Sequence, residues 1–314
     1  MGSRAAGAVL FVASILAATV CWGTTAGAGE PRGKPFWLAL AKDCAVPEGE
    51  LAFDLVREAV SFLGSTDPEW RDDVGYGVVA SCVYEKRLLT PEERRALVTH
   101  LSENLRRRIG GTGGDSVLLR SFSALDLSIF AALENALPAL DGDDYRRLVD
   151  AALAYLRDER DLRGFEPGVG WIHATAHTGD LLKFLARDSR FTPADQRLLL
   201  DGVWAKVTAP GTPVFTHAED ERLGAAVLSV VRRSDFEPSL LDPWLTRFVD
   251  LEKQVWSRSP PDPAVLDAAQ NARSLLRSLY VLLSLPAATG PTSTGAGEAA
   301  AREKVLATLD RIRR

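Results

Sequence analysis

The chain is short of the residues that most often carry chemistry. Its 314 residues hold four histidines, three cysteines and one methionine. So few cysteines exclude a disulfide scaffold for a protein of this size, which must rely on a hydrophobic core. No run of five or more like charges occurs, and the net charge is −5. That argues against nucleic acid and against anionic membrane surfaces as partners. Strand signals are sparse: no Asn-Gly hairpin turn and no regular series of short alternating runs. No G-x-S-x-G elbow is present, and Cys44 and Cys82 have no adjacent histidine, so nucleophilic catalysis has no local support. The glycine-rich stretch IGGTGGDS, residues 109–116, lacks the Lys-Ser/Thr and the preceding strand of a nucleotide loop and reads as a flexible link.

Hydrophobic residues make up 46% of the chain and charged residues 25%, as in a soluble globular protein. The N-terminus differs from the rest. Arg4 precedes an apolar run to Trp22, and small residues then lead to Ala26-Gly27-Ala28, the form of a secretory signal over residues 1–28. The alternatives are an uncleaved membrane anchor and, third, a lipid attachment at Cys21. Cleavage removes Arg4 and no acid, leaving an export product one charge more acidic. In an oxidising compartment Cys44 and Cys82 either pair or remain as two buried thiols.

Helix signals recur. Thr90, Pro91 and Glu93 form a capping box with proline at the first helical position, and Leu97, Leu101 and Leu105 follow on one face. Thr192, Pro193 and Asp195 repeat the formula, and Asp262 with Pro263 repeats it in part. The stretch from Val74 to Tyr84 is valine-rich but lies within a helical pattern and is read as helix. The fold expected is all-α: about ten to twelve helices in stacked antiparallel pairs, an irregular α-solenoid or α-α superhelix. The domain spans 29–285, a low-complexity linker covers 286–301, and a loosely attached helix of residues 302–314 closes the chain.

The rare histidines cluster. In RDLRGFEPGVGWIHATAHTGDLL, residues 160–182, a turn containing Gly168 and Gly170 leads to a helix expected from about Trp171, whose start reads as a plain turn or an anion site. His173, His177 and Asp180 then fall at i, i+4 and i+7 on one helical face. Two imidazoles so spaced chelate a divalent metal such as zinc, with the carboxylate as third ligand. The glutamate of H-E-x-x-H is absent, so zinc-protease chemistry is not supported. The same stripe also reads as a buried polar seam. In VFTHAEDERLGAAVLSVV, residues 214–231, Thr216 and Glu219 suggest a capping box, with His217, Asp220, Glu221 and Arg222 beside it. His100 sits at the edge of a leucine stripe, partly solvated.

The segments RSFSAL (120–125), RDLRGFEPGVGWIHATAHTGDLL, VFTHAEDERLGAAVL and RSLLRSLYVLL (273–283), in that order, resemble the bacterial domain-of-unknown-function family numbered 2785 over about residues 50–285. The resemblance implies a helical domain without an assigned activity. It places the two histidine-bearing segments in one domain.

The expectation is an exported helical domain with a polar groove. His173, His177, Asp180, His217 and Asp220 would form a metal or acid–base site. Gly168, Gly170, Trp171, Glu219, Glu221 and Arg222 would line it. A small ligand, a metal or a peptide would bind there. A protein-interaction scaffold without chemistry is the first alternative, and a metal- or carboxylate-based hydrolase the second. Acids of the DPEWRDD stretch, Asp67 to Asp73, would suit the latter but read more simply as a solvated surface.

Overall fold

The computed structural model describes residues 32–285 and 296–313. The segment read as an export signal lies outside the described residues, as does most of the stretch read as a linker. Within the described residues twelve α-helices follow one another: α1 Lys34–Asp43, α2 Ala52–Val60, α3 Gly77–Val79, α4 Pro91–Asn104, α5 Ser116–Glu134, α6 Gly142–Asp158, α7 Ala174–Leu185, α8 Pro193–Thr208, α9 Glu219–Val231, α10 Leu241–Val255, α11 Pro263–Ser284 and α12 Ala296–Arg313. The short α3 is flanked by π-helical stretches, Glu69–Tyr76 and Ala80–Glu85, so the valine-rich segment is helical throughout. One two-stranded hairpin, β1 Phe165–Glu166 and β2 Gly170–Trp171, interrupts the series.

Local chemistry sets many of the boundaries. Thr90 accepts a hydrogen bond from Glu93 N, Thr192 from Asp195 N and Asp262 from Ala264 N, each with proline in the first turn. Apolar faces then assemble two layers. In one, α5, α7, α9 and α11 lie side by side. Among the other helices, α4 packs on α5, α6 on α7, α8 on α9 and α11, and α10 and α12 on α11. Ser121 meets His177 near the starts of α5 and α7, and Asn135 Nδ2 donates to Phe184 O near their ends, so the two helices run the same way. His173 meets His217 O at the starts of α7 and α9, and Arg187 meets Ser229 near their ends. The starts of these helices therefore share one edge of the layer.

Close approach of α7 and α9 depends on Gly179. A Cβ there would stand 2.8 Å from the carbonyl carbon of Arg222. Gly179→Ala is therefore expected to cost about 1–3 kcal/mol by forcing the helices apart, which denaturant unfolding will measure; an unchanged midpoint would mean that the contact yields.

Cys44 and Cys82 form a disulfide, Cα atoms 5.2 Å apart, which decides between the pair and the two free thiols. At the other end of the domain, α12 begins at Ala296, inside the segment expected to be linker. It is not loosely attached. Ala301 and Val305 are buried against α10 and α11, and Glu298 and Lys304 pair with Arg232 and Asp242.

Candidate functional site

The helix expected from Trp171 starts three residues later, because the hairpin occupies its place. Phe165 pairs with Trp171 and Glu166 with Gly170, while Gly168 turns the chain. Gly170 has φ +84°, which favours glycine, and Arg71 Nη2 and Pro68 Cβ lie 3.3 Å from where a Cβ would be, a tight fit. The buried Arg71 donates from Nη2 to Val169 O at 2.9 Å and fixes the hairpin from below. His173 then takes a left-handed conformation, φ 51°, as the residue before α7. Ala218 does the same before α9 at φ 63°, which overturns the expected Thr216–Glu219 capping box. Instead Thr216 Oγ1 meets His217 Nδ1 at 3.0 Å, and Glu219 Oε2 accepts from His217 N at 2.8 Å. The start of α7 faces protein, with Ala174, Thr175 and Ala176 buried, so it is not an open anion site.

Three of the four histidines converge. The His173 ring stacks on Trp171 with centroids 4.3 Å apart, and lies 5.6 Å from His177 and 6.3 Å from His217. Phe165 meets Trp171 edge-on at 5.0 Å. His177 is almost wholly buried, packed edge-on against Phe122 at 5.0 Å. The guanidinium of Arg71 covers the Phe122 ring at 4.7 Å.

Proton positions follow from the partners. Ser121 Oγ has one proton, which it donates to Ile172 O. His177 Nδ1, 2.8 Å from that oxygen, must therefore donate to it, leaving the lone pair of the neutral ring on Nε2. A carbonyl only accepts, so His173 Nε2 donates to His217 O at 2.9 Å. Burial holds the His173 imidazole below its ordinary range, opposed by Glu219. Burial, with His173 adding to it, pushes His177 down to about 3. The folded state thus refuses a proton that the unfolded chain accepts near pH 6.5. Stability present above that pH is lost as pH falls toward 3, by about 2 kcal/mol at pH 5. Urea unfolding at pH 7 and pH 5 tests this, and His177→Asn, which keeps the Nδ1-side donor and has no titration, is expected to remove that share of the loss.

The acids do not join the imidazoles as metal ligands. Asp180 is taken by Lys183, 2.8 Å from Oδ1, and by Arg222 on Oδ2. Asp220 Oδ2 accepts from Ser278 of α11 at 2.7 Å. His173 Nε2, closed on a carbonyl, has no lone pair to give. Among the described residues no group of three or more His, Cys, Asp or Glu side chains is arranged to hold a metal ion. The five-residue metal set is corrected accordingly: the histidines meet, and the two aspartates are engaged elsewhere. Glu219 braces the His217 backbone, Glu221 is exposed, and Arg222 is the ion-pair partner of Asp180. Three of the four acids of the Asp67–Asp73 stretch are engaged in ion pairs, Asp67 and Glu69 with Lys34 and Asp72 with Arg71, and Asp73 is exposed.

Sequence reasoning missed Ser121, Phe122, Arg71 and Phe165. Ser121 and Phe122 stand in the RSFSAL segment, where a serine and an aromatic give no periodic or spacing signal of their role beneath a histidine.

A family model described as a protein of unknown function, DUF2785, matches residues 105–281, more than half of the chain. The chain belongs to the DUF2785 family. The match starts at residue 105 rather than near 50. It takes in α5, the hairpin, α7, α9 and most of α11, and so every member of the histidine cluster, but not Arg71. A search of curated proteins finds no match to this DUF2785 chain, and a search of solved structures finds none.

Proposed function

We propose that this DUF2785 domain is a metal-free ligand-recognition domain whose binding surface is the aromatic platform at the starts of α7 and α9. The observation that carries this reading is the half-exposure of Trp171 and Phe165, at 42% and 46%, on a frame that is otherwise buried and hydrogen-bonded. The two rings lie edge-on at 5.0 Å and so present one contiguous apolar face rather than a lone surface residue. Trp171 is held in one orientation by the stacked His173, itself fixed to the start of α9. A small ligand or peptide side chain with a flat or CH-rich surface fits such a platform, and His217, with Thr216 against it, supplies polar groups beside it. The scarcity of histidine makes the test simple: four imidazole signals in a histidine-selective spectrum. A ligand on the platform shifts His173 and His217 and leaves His100 unmoved, and Trp171→Ala abolishes the response. Ligands that bind without moving these two signals would place recognition elsewhere.

We also infer that the protein is exported. The N-terminal pattern motivates this reading, and the Cys44–Cys82 disulfide, at home in an oxidising compartment, supports it. Mature protein beginning at or near Gly29 is the expected finding, and an intact cytoplasmic chain from Met1 would contradict it.

A further inference from the structure

Away from the platform, a cleft of about 340 Å³ lies between α8 and α10. That is the low end of the size of small-molecule sites, enough for one ring or a short chain. Its floor is apolar: Leu200 of α8 and Trp244 of α10 are buried there. Leu240 and Pro243, at the start of α10, add apolar walls. The floor is also fixed. Trp244 Nε1 donates to Leu200 O at 2.9 Å, and the ring meets Phe248 edge-on at 4.8 Å. A surface tied in this way needs no ordering when a ligand arrives.

Three charged side chains, all in contact with solvent, complete the lining: Arg197 and Asp201 from α8 and Arg247 from α10. Asp201 and Arg247 pair with each other at 2.7 Å. Arg197 has no ion-pair or hydrogen-bond partner among the described residues. The cleft therefore carries one uncompensated positive charge, in a chain whose net charge is −5. The start of α10 adds the positive end of a helix dipole, and Asp242, the acid of that turn, is paired with Lys304.

This combination selects a ligand class. A cation meets Arg197 and is repelled. Inorganic phosphate satisfies the guanidinium and leaves the apolar floor uncovered. A neutral aromatic covers the floor and leaves the guanidinium unmatched. A dianion finds a single free positive charge. A monoanionic acid with an apolar body meets both requirements, because a carboxylate accepts two parallel N–H bonds from the planar fork of arginine. We propose that the cleft between α8 and α10 binds a small organic acid, its carboxylate on Arg197 and its ring or short chain on the floor of Leu200 and Trp244. None of these residues belongs to the aromatic platform, so the two sites stand or fall separately.

The test is calorimetric titration of the full chain with benzoate, indole-3-acetate and hexanoate. At least one should bind with a Kd of about 1 mM or tighter. Benzamide and inorganic phosphate each carry half of the recognition and should bind about tenfold more weakly or worse. Arg197→Gln, at an exposed position, should fold as the parent does and weaken the acid about tenfold or more, which corresponds to about 1.4 kcal/mol. Asp201→Asn breaks only a surface ion pair and frees Arg247. Two free arginines favour a dianion, so phthalate should gain more affinity in that variant than benzoate does. Three outcomes overturn the proposal: no acid binds, Arg197→Gln binds as the parent does, or benzamide matches benzoate. In a histidine-selective spectrum the acid should leave His173 and His217 unmoved. If it moves them and Arg197→Gln changes nothing, the acid sits on the platform, and the cleft site falls while the platform stands.

Discussion

Glu159→Gln is expected to lower the unfolding free energy by about 3–5 kcal/mol. Arg120 and Glu159 form a two-pronged ion pair, 2.6 and 3.1 Å, with both side chains almost fully buried. The pair joins α5 to the end of α6. The Glu159 carboxylate also accepts from the backbone N–H groups of Arg160 and Asp161, and its carbonyl accepts from the buried Lys206 ammonium at 2.7 Å. Arg120 in turn donates to Arg107 O and Arg108 O. Glutamine keeps the shape and removes the charge, which leaves a guanidinium sealed from water without its counter-ion. The cost is that of the orphaned charge rather than the net worth of the pair. The double variant Arg120→Met/Glu159→Leu, which removes both charges of the pair, should therefore be markedly more stable than Glu159→Gln. Denaturant unfolding of the three proteins decides it. A loss below about 1 kcal/mol in the single variant would mean that water reaches the pair. The site should feel the same change, because the chain leaves Glu159 directly for Asp161, Arg163 and the hairpin. Arg163 pairs with Asp161 and Glu166, and Asp161 Oδ2 accepts from Gly113 N at 3.0 Å, docking the glycine-rich link beside the hairpin.

Removal of the Cys44–Cys82 disulfide has an effect of similar size by a different route. The cysteines are 38 residues apart in sequence, and closing a loop of that length restrains the unfolded chain by about 4 kcal/mol. The Cys44→Ala/Cys82→Ala protein should lose about that much. The parent in strong reductant should lose the same amount, and the variant should be indifferent to reductant. The loss should be felt first in α1, a ten-residue helix anchored by Trp37 and Leu40, with Cys44 in a left-handed conformation at its end. Such a helix is too short to persist alone in water. Equal stability of parent and variant would show that the unfolded chain is already restrained there.

These two effects show what a sequence exposes and what it hides. The openings at Thr90, Thr192 and Asp262 were legible because cap, proline and acid are neighbours in the chain and satisfy one another locally. Thr216–Glu219 carries the same letters and fails. There the contacts of His217 and the left-handed turn at Ala218 are set by α7, which no local pattern reveals. The hairpin was illegible for a simpler reason: strands of two residues have no alternation to read. Histidine rarity did locate the cluster, since three of four such residues in two short segments are easily seen. Lys183, one turn along α7, is a local partner of Asp180, but Arg222 and Ser278 were not legible as partners of Asp180 and Asp220, because they reach them from other helices.

Trp171, His173, His177 and His217 form one packed cluster, with His177 sealed beneath the platform. Ring-proton NMR of the histidines across pH 4 to 8 tests this most directly. The account predicts through-space contact between the Trp171 and His173 rings, and a His177 ring that stays neutral down to pH 4, since burial holds it at about 3. A His177 that titrates near pH 6.5, with no contact between Trp171 and His173, would contradict it.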